Sequence, residues 1–172
     1  SQGDFHCGLN FAAVRKAPVI FFCRNNGYAI STPTFRQYAS DGIAAEGPGH
    51  GIQTYRIDGN DIFAVYETTK EARNYCLETS KPVLIEAMTY RMGAHSTSDD
   101  PSLYRNVEEE NSWKEKCPVL RFQKYLKDLN LWDKEKEEAF IEKTAQEITE
   151  AIAKAKILGK PPLDTMIDHV YF

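Results

Sequence analysis

The feature that most restricts this chain is an apolar run that stops abruptly. Pro18-Val19-Ile20-Phe21-Phe22-Cys23 is continuous, rich in strand formers and too short for a typical helix. It predicts a strand buried on both faces, as in a parallel sheet. Arg24-Asn25-Asn26-Gly27-Tyr28 follows at once. Glycine accepts positive φ and asparagine tolerates the left-handed region, so the chain must turn there. Ligands of open parallel sheets bind just beyond the carboxyl ends of the strands. A guanidinium, amide oxygens and a peptide carbonyl at that point suit a diphosphate and a hard divalent cation.

The surrounding pattern alternates. Phe5 to Lys16 has helical character with Phe5, Leu9, Ala12 and Ala13 on one face, and Pro18 prevents its continuation. Residues 31–51 are a Gly-, Pro- and Ser-rich connection with a short helical turn expected within 37–45. Gln53 to Asp58 reads as a second strand closed by Asp58-Gly59-Asn60. Asp61 is placed to cap a helix from Ile62 to Thr79, whose Phe63, Val65, Tyr66, Ala72, Tyr75 and Cys76 form the expected buried face. Pro82 to Met88 is a third strand running directly into a loop over 90–106. This order predicts an α/β fold, a parallel sheet with helices on both faces, and the absence of GxGxxG removes a dinucleotide fingerprint.

After Val107 the composition shifts. Residues 108–116 are strongly charged and read as a solvated helix face, and 118–129 and 133–158 as amphipathic helices. The apolar stripe Ala139, Phe140, Ile141, Ile148, Ile152 and Ala155 is expected to pack on the domain. Gly159 and Pro161-Pro162 end the last helix. The expected organisation is an α/β domain over 1–107, including the loop 90–106, and a helical carboxyl-terminal extension over 108–172.

With 172 residues, 42% of them hydrophobic, the chain can bury a genuine core. A net charge of −4 gives no electrostatic footprint for nucleic acid, and no apolar run approaches the length of a membrane span, so neither is expected as a partner. Cys7, Cys23, Cys76 and Cys117 have no metal-ligand spacing; Cys23 and Cys76 read as small buried hydrophobes in a reducing compartment. His6, His50, His95 and His169 are equally scattered, which argues against a zinc site.

Two long motifs carry a resemblance. Phe22-Cys23-Arg24-Asn25-Asn26-Gly27-Tyr28 resembles the second half of the thiamine diphosphate motif. Tyr90-Arg91-Met92-Gly93-Ala94-His95-Ser96-Thr97-Ser98-Asp99-Asp100-Pro101, followed by Tyr104-Arg105, resembles the active-site loop of 2-oxo acid dehydrogenase alpha subunits, the branched-chain group above all. The resemblance runs from Ser1 to about Trp113 and continues more loosely through the carboxyl-terminal helices. It implies the diphosphate-binding domain of a thiamine diphosphate-binding fold. The family's Gly-Asp/Glu-Gly triplet belongs just before Ser1-Gln2-Gly3-Asp4, so the chain is expected to be the carboxyl-terminal part of a longer subunit.

The resemblance also implies roles. Asn26 offers its side-chain oxygen and Tyr28 its backbone carbonyl to Mg²⁺, Arg24 contacts the diphosphate, and Asn25 braces the turn; an acidic third metal ligand belongs to the absent triplet. His95 is the implied catalytic and cofactor-contacting histidine, and an imidazole, which ordinarily titrates near neutrality, suits proton transfer. Arg91 could order the loop by pairing with Asp99 or Asp100. Ser96 resembles the family's regulatory phosphorylation serine. Asn106 stands where animal relatives often carry a second such serine, and Ala94 where many relatives carry a second histidine.

The activity so implied is oxidative decarboxylation of branched-chain 2-oxo acids with reductive acylation of lipoyl groups, in the mitochondrial matrix. The implied partners are a beta subunit in an α2β2 assembly, a lipoyl-bearing acyltransferase core, and a regulatory kinase and phosphatase. Two alternatives stand beside it. A pyruvate dehydrogenase alpha subunit shares the Asn-Asn and His-Ser elements, but typically lacks Gly27-Tyr28-Ala29-Ile30-Ser31-Thr32-Pro33. A non-catalytic piece that only binds partner subunits is the other.

Overall fold

One strand has no exposed side. In the computed structural model, which describes residues 2–168, β5 (Val83–Met88) buries Val83, Leu84, Ile85, Glu86 and Ala87. It is the centre of a parallel sheet ordered β1-β5-β4, with β1 spanning Ile20–Asn25 and β4 spanning Gln53–Asp58. Ile20 and Gln53 both lie opposite Val83, and Asn25 and Asp58 both lie opposite Met88, so all three strands end level.

Alternation along β5 divides its side chains between two cores. Val83 and Ile85 pack with Ala72 and Cys76 of α2 (Ile62–Thr79), while Leu84 packs with Ile52 and with Leu9 of α1 (Gly3–Arg15). Each such Val, Leu or Ile side chain contributes about 1.5–3 kcal/mol by leaving water. The α/β architecture with helices on both faces of the sheet is therefore as expected. Asp61 caps α2, accepting from the backbone N–H groups of Phe63 and Ala64.

Three local expectations are corrected. The apolar run 18–23 leads into an edge strand in this chain, β1, with Phe22 40% exposed; composition registers strand character but not how many neighbours a strand has. Phe63 and Tyr66 lie on the outer side of α2, at least half exposed, because its buried stripe is narrower than its apolar content. The connection holds three short 3-10 turns, at Thr34–Arg36, Ala44–Glu46 and Pro48–His50, instead of one within 37–45. It also holds an antiparallel hairpin of β2 (Tyr28–Ala29) and β3 (Thr32–Pro33). At its tip Ile30 has φ of 57°, a left-handed conformation that is costly for a β-branched residue.

The chain forms two compact units, Ser1–Phe122 and Gln123–Phe172. The first unit includes α3 (Val107–Lys114), whose amino end is capped by the Asn106 side chain and carries Glu108, Glu109 and Glu110 in its first turn. In the other unit α5 (Lys134–Ile157) is capped by Asp133, and Glu137 accepts from both Trp132 and Gln123. α4 spans Pro118–Asp128. Along α5, Phe140, Ile141, Ile148 and Ile152 are each more than half exposed. His169 lies outside the described residues.

Candidate functional site

The turn after β1 is built from two consecutive side-chain-to-backbone bonds. Asn25 Oδ1 accepts from Gly27 N at 3.0 Å, and Asn26 Oδ1 accepts from Tyr28 N at 3.1 Å. Gly27 itself has φ of 80°, which explains why glycine stands there. Asn25 is buried, Asn26 and Tyr28 are half-buried, and Arg24 is exposed at the strand end. The Asn25 carboxamide also donates from Nδ2 to Glu86 Oε1 at 2.7 Å and to the Tyr38 hydroxyl at 3.3 Å. Its bracing role, inferred from the resemblance, has this physical form.

Glu86 is the residue that the sequence reading missed. Its fully buried carboxylate accepts from Ile43 N (3.0 Å), Ala44 N (2.8 Å), Asn25 Nδ2 (2.7 Å) and Arg56 Nε (2.9 Å). Burial alone would raise its pKa, but the backbone donors of Ile43 and Ala44, then Asn25 and Arg56, hold the carboxyl below its usual range. A signal was available: one acid inside Val83-Leu84-Ile85-Glu86-Ala87-Met88 must find partners if the strand is central.

The loop 90–106 leaves β5 and returns to the turn through aromatic rings. The Tyr28 ring lies 5.9 Å from that of Tyr104 and 6.4 Å from that of Tyr90, and Tyr90 stacks on Trp113 of α3 at 5.6 Å. The Arg105 guanidinium sits among Tyr28, Tyr90 and Tyr104, 5.1–5.7 Å from their ring centres. Its Nη1 donates to the Gly93 carbonyl at 3.3 Å. The Tyr28 hydroxyl donates to Glu109 at 2.8 Å, and burial, then this bond, pushes its pKa up to about 12, so the phenol is neutral at physiological pH.

Within the loop Asp99 is the organiser. Its Oδ2 accepts from His95 N at 2.8 Å and from the Tyr104 hydroxyl at 2.7 Å, and these bonds hold the Asp99 carboxyl below its ordinary value. Arg91 does not pair with Asp99 or Asp100 as expected; it donates to the His95 carbonyl at 3.1 Å. Asp99 is already engaged by an N–H and a phenol, and Asp100 by Ser102 N and Oγ. His95 and Ser96 are exposed, with Ser96 Oγ 3.2 Å from Ser98 Oγ. Thus Arg24, Asn26 and Tyr28 share one turn, and His95 and Ser96 lie on the loop that packs against the Tyr28 ring.

Known proteins resemble this chain over almost its whole length. The dehydrogenase E1 component family matches residues 1–164. The chain is similar to the mitochondrial 2-oxoisovalerate dehydrogenase subunit alpha of Mus musculus and of Homo sapiens, at 53% identity over 172 residues in both cases, 99% of this chain and 39% of each relative. The Dictyostelium discoideum protein of the same name is 50% identical over 173 residues. The chain therefore spans about two fifths of the length of these curated relatives.

Proposed function

This chain belongs to the dehydrogenase E1 component family, and from that premise we propose that it supplies the diphosphate side of the cofactor site in a branched-chain 2-oxo acid dehydrogenase alpha subunit. The reaction is decarboxylation of branched-chain 2-oxo acids with acyl transfer to lipoyl groups, in the mitochondrial matrix. The observation that carries the reading is the meeting of two segments through one residue. Tyr28 belongs to the turn that ends β1, and its ring packs on the loop that follows β5.

The family is thiamine diphosphate-dependent, and this cofactor supplies the electron sink that loss of CO₂ from a 2-oxo acid requires. The residues present fit the group. Asn26 Oδ1 spends one lone pair on Tyr28 N, leaving a second for Mg²⁺. The Tyr28 carbonyl is the other oxygen this chain offers; amide and peptide oxygens are hard, neutral ligands of the kind Mg²⁺ accepts. No group of three or more His, Cys, Asp or Glu among the described residues could hold a metal. The other ligands of a bound Mg²⁺ would be phosphate oxygens, water and a further donor. Arg24, exposed at the strand end, is a charged donor for the diphosphate.

In this reading His95 moves a proton at the mouth of the site, from a loop whose backbone Asp99 and Arg91 hold on either side of it. A beta subunit in an α2β2 assembly completes the cofactor site, and a lipoyl-bearing acyltransferase core receives the acyl group. Ser96 is the site at which a kinase and a phosphatase act.

The test uses the complete alpha subunit assembled with its beta partner. Asn26→Ala should weaken Mg²⁺-dependent thiamine diphosphate binding by about 10- to 100-fold, and Arg24→Ala by about 10-fold through loss of a charged hydrogen bond. Unchanged dissociation constants for both variants would sink the assignment.

A further inference from the structure

The geometry points to Glu86 as the positioning residue of the cation-binding turn, acting through the Asn25 carboxamide. The first link is burial. Glu86 is 0% exposed and sits in the central strand, four residues before the active-site loop begins at Tyr90. A carboxylate so placed persists only if donors saturate it, and four do.

The second link is direction. A carboxylate is acceptor-only, whereas a carboxamide has a donor end and an acceptor end. Glu86 Oε1 takes the Asn25 Nδ2, which forces Asn25 Oδ1 toward Gly27 N. Without that anchor the carboxamide keeps only the longer, 3.3 Å bond to the Tyr38 hydroxyl, and the acceptor of Gly27 N is held less firmly. Gly27 immediately follows Asn26 and precedes Tyr28, so the shape of this turn sets where the Asn26 oxygen and the Tyr28 carbonyl project. The remaining bonds of Glu86 reach Ile43, Ala44 and Arg56, tying the connection after the hairpin to the same point. Gly42 reserves the space: a Cβ there would lie 2.9 Å from both Glu86 oxygens and collide with the Arg56 guanidinium.

The cofactor part of this inference rests on the function proposed above; the control of the turn does not. The experiment exchanges the roles of the two residues in the complete alpha–beta assembly. In Glu86→Gln an amide donor competes with donors already present. In Asn25→Asp two carboxylates face each other where a 2.7 Å hydrogen bond stood. In the double variant Asn25→Asp/Glu86→Gln the glutamine donates to the aspartate, a single negative charge remains, and the aspartate still accepts from Gly27 N. The other glutamine position, as oxygen, keeps Ala44 and Arg56, so Ile43 N alone loses its partner.

Two readouts are taken: hydrogen exchange of the Gly27 amide in the cofactor-free assembly, and Mg²⁺-dependent thiamine diphosphate affinity. Each single variant should speed Gly27 exchange about 10-fold, with Glu86→Gln also weakening cofactor binding about 10-fold. The double variant should bring Gly27 exchange back to within about 3-fold of wild type. Recovery of that kind is not expected if Glu86 merely fills the core. Unchanged Gly27 exchange in Glu86→Gln, or equal acceleration at Leu84 and Gly27, overturns the inference. Should Glu86→Gln fail to assemble, Asn25→Asp against the double variant decides, since absence of recovery is equally fatal. A wild-type assembly that does not bind thiamine diphosphate would defeat the proposed function while leaving the Gly27 result to stand.

Discussion

The two walls of the candidate site are made differently. The turn at Arg24–Tyr28 hangs from a buried strand end, with Asn25 7% exposed and Glu86 fully enclosed. The loop that carries His95 and Ser96 is exposed along most of its length and is held by bonds to Asp99, by Arg91 and by rings closing around Arg105. In the first wall hydrogen bonds are shielded from water and removing a partner strands a buried polar group, which costs about 1–3 kcal/mol or more. In the second, the same kinds of bond compete with solvent and contribute little to global stability. The turn is therefore suited to fixing oxygen ligands, and the loop to being ordered or released.

The largest expected effect comes from breaking the rigid wall. Gly42 has φ of 82°, and an added Cβ meets Arg56 and Glu86. Gly42→Ala combines left-handed strain, about 1–2 kcal/mol, with displacement of a buried carboxylate or its guanidinium partner. The complete subunit should lose about 2–4 kcal/mol of stability, read as a lowered melting temperature and reduced soluble yield. A melting temperature equal to wild type would mean that this wall yields as easily as the loop, and the contrast would disappear.

The same contrast governs what the sequence reveals. Strand and helix positions were legible because period and punctuation are local signals, as in Pro18, Asp61 and the run 82–88. The Asn25 brace was legible from resemblance. The four donors converging on Glu86 were not, because residues 25, 43, 44 and 56 meet only after the strands pair and the connection folds over their ends. Loop chemistry failed in another way. Opposite charges eight and nine residues apart suggested a pair with Arg91, yet a backbone N–H and a tyrosine hydroxyl reached Asp99 first. Edge against centre was also hidden, since apolar content is similar in β1 and β5 while only β5 has a neighbour on each side.

A smaller and more local effect is expected from the loop. Asp99→Asn retains shape but removes the charge that accepts from His95 N and Tyr104. Amides of residues 93–99 should exchange several-fold faster, overall turnover with a lipoylated acceptor should fall by about 10-fold, and the melting temperature should move little. The pH dependence has a definite sign. The folded-state pKa of Asp99 is depressed, so its contribution is complete above the ordinary aspartate range of about 3.9 and disappears as pH falls through the lower folded value. Loop protection should therefore be flat across neutral pH in wild type and decline only in acid, a decline that Asp99→Asn should lack. Equal loss of protection in β5 would show that the loop and the turn are a single rigid body.

The smallest effect on basal activity should come from Ser96. Its hydroxyl touches Ser98 Oγ at 3.2 Å and its carbonyl accepts from the Asp99 backbone N–H at 3.3 Å, so it adjoins the loop's organising residue without contributing a buried bond. Ser96→Ala should leave turnover within about 2-fold of wild type, because an exposed hydroxyl exchanges its protein contact for water at little cost. Phosphate at the same atom is a different perturbation. It adds nearly two negative charges three and four residues from Asp99 and Asp100, and the loop must either recruit cations or come apart. Arg91 and Arg105 are committed to carbonyls of the loop itself, so recruiting either one dismantles the order that presents His95. Kinase treatment should thus silence the wild-type assembly while leaving cofactor affinity nearly intact, since the Arg24–Tyr28 turn is anchored from the sheet. Ser96→Glu should reproduce only part of the loss, having less charge and fewer acceptor oxygens. If kinase treatment also silences Ser96→Ala, control resides elsewhere; if phosphorylation abolishes cofactor binding as completely as Asn26→Ala, the two walls are not independent.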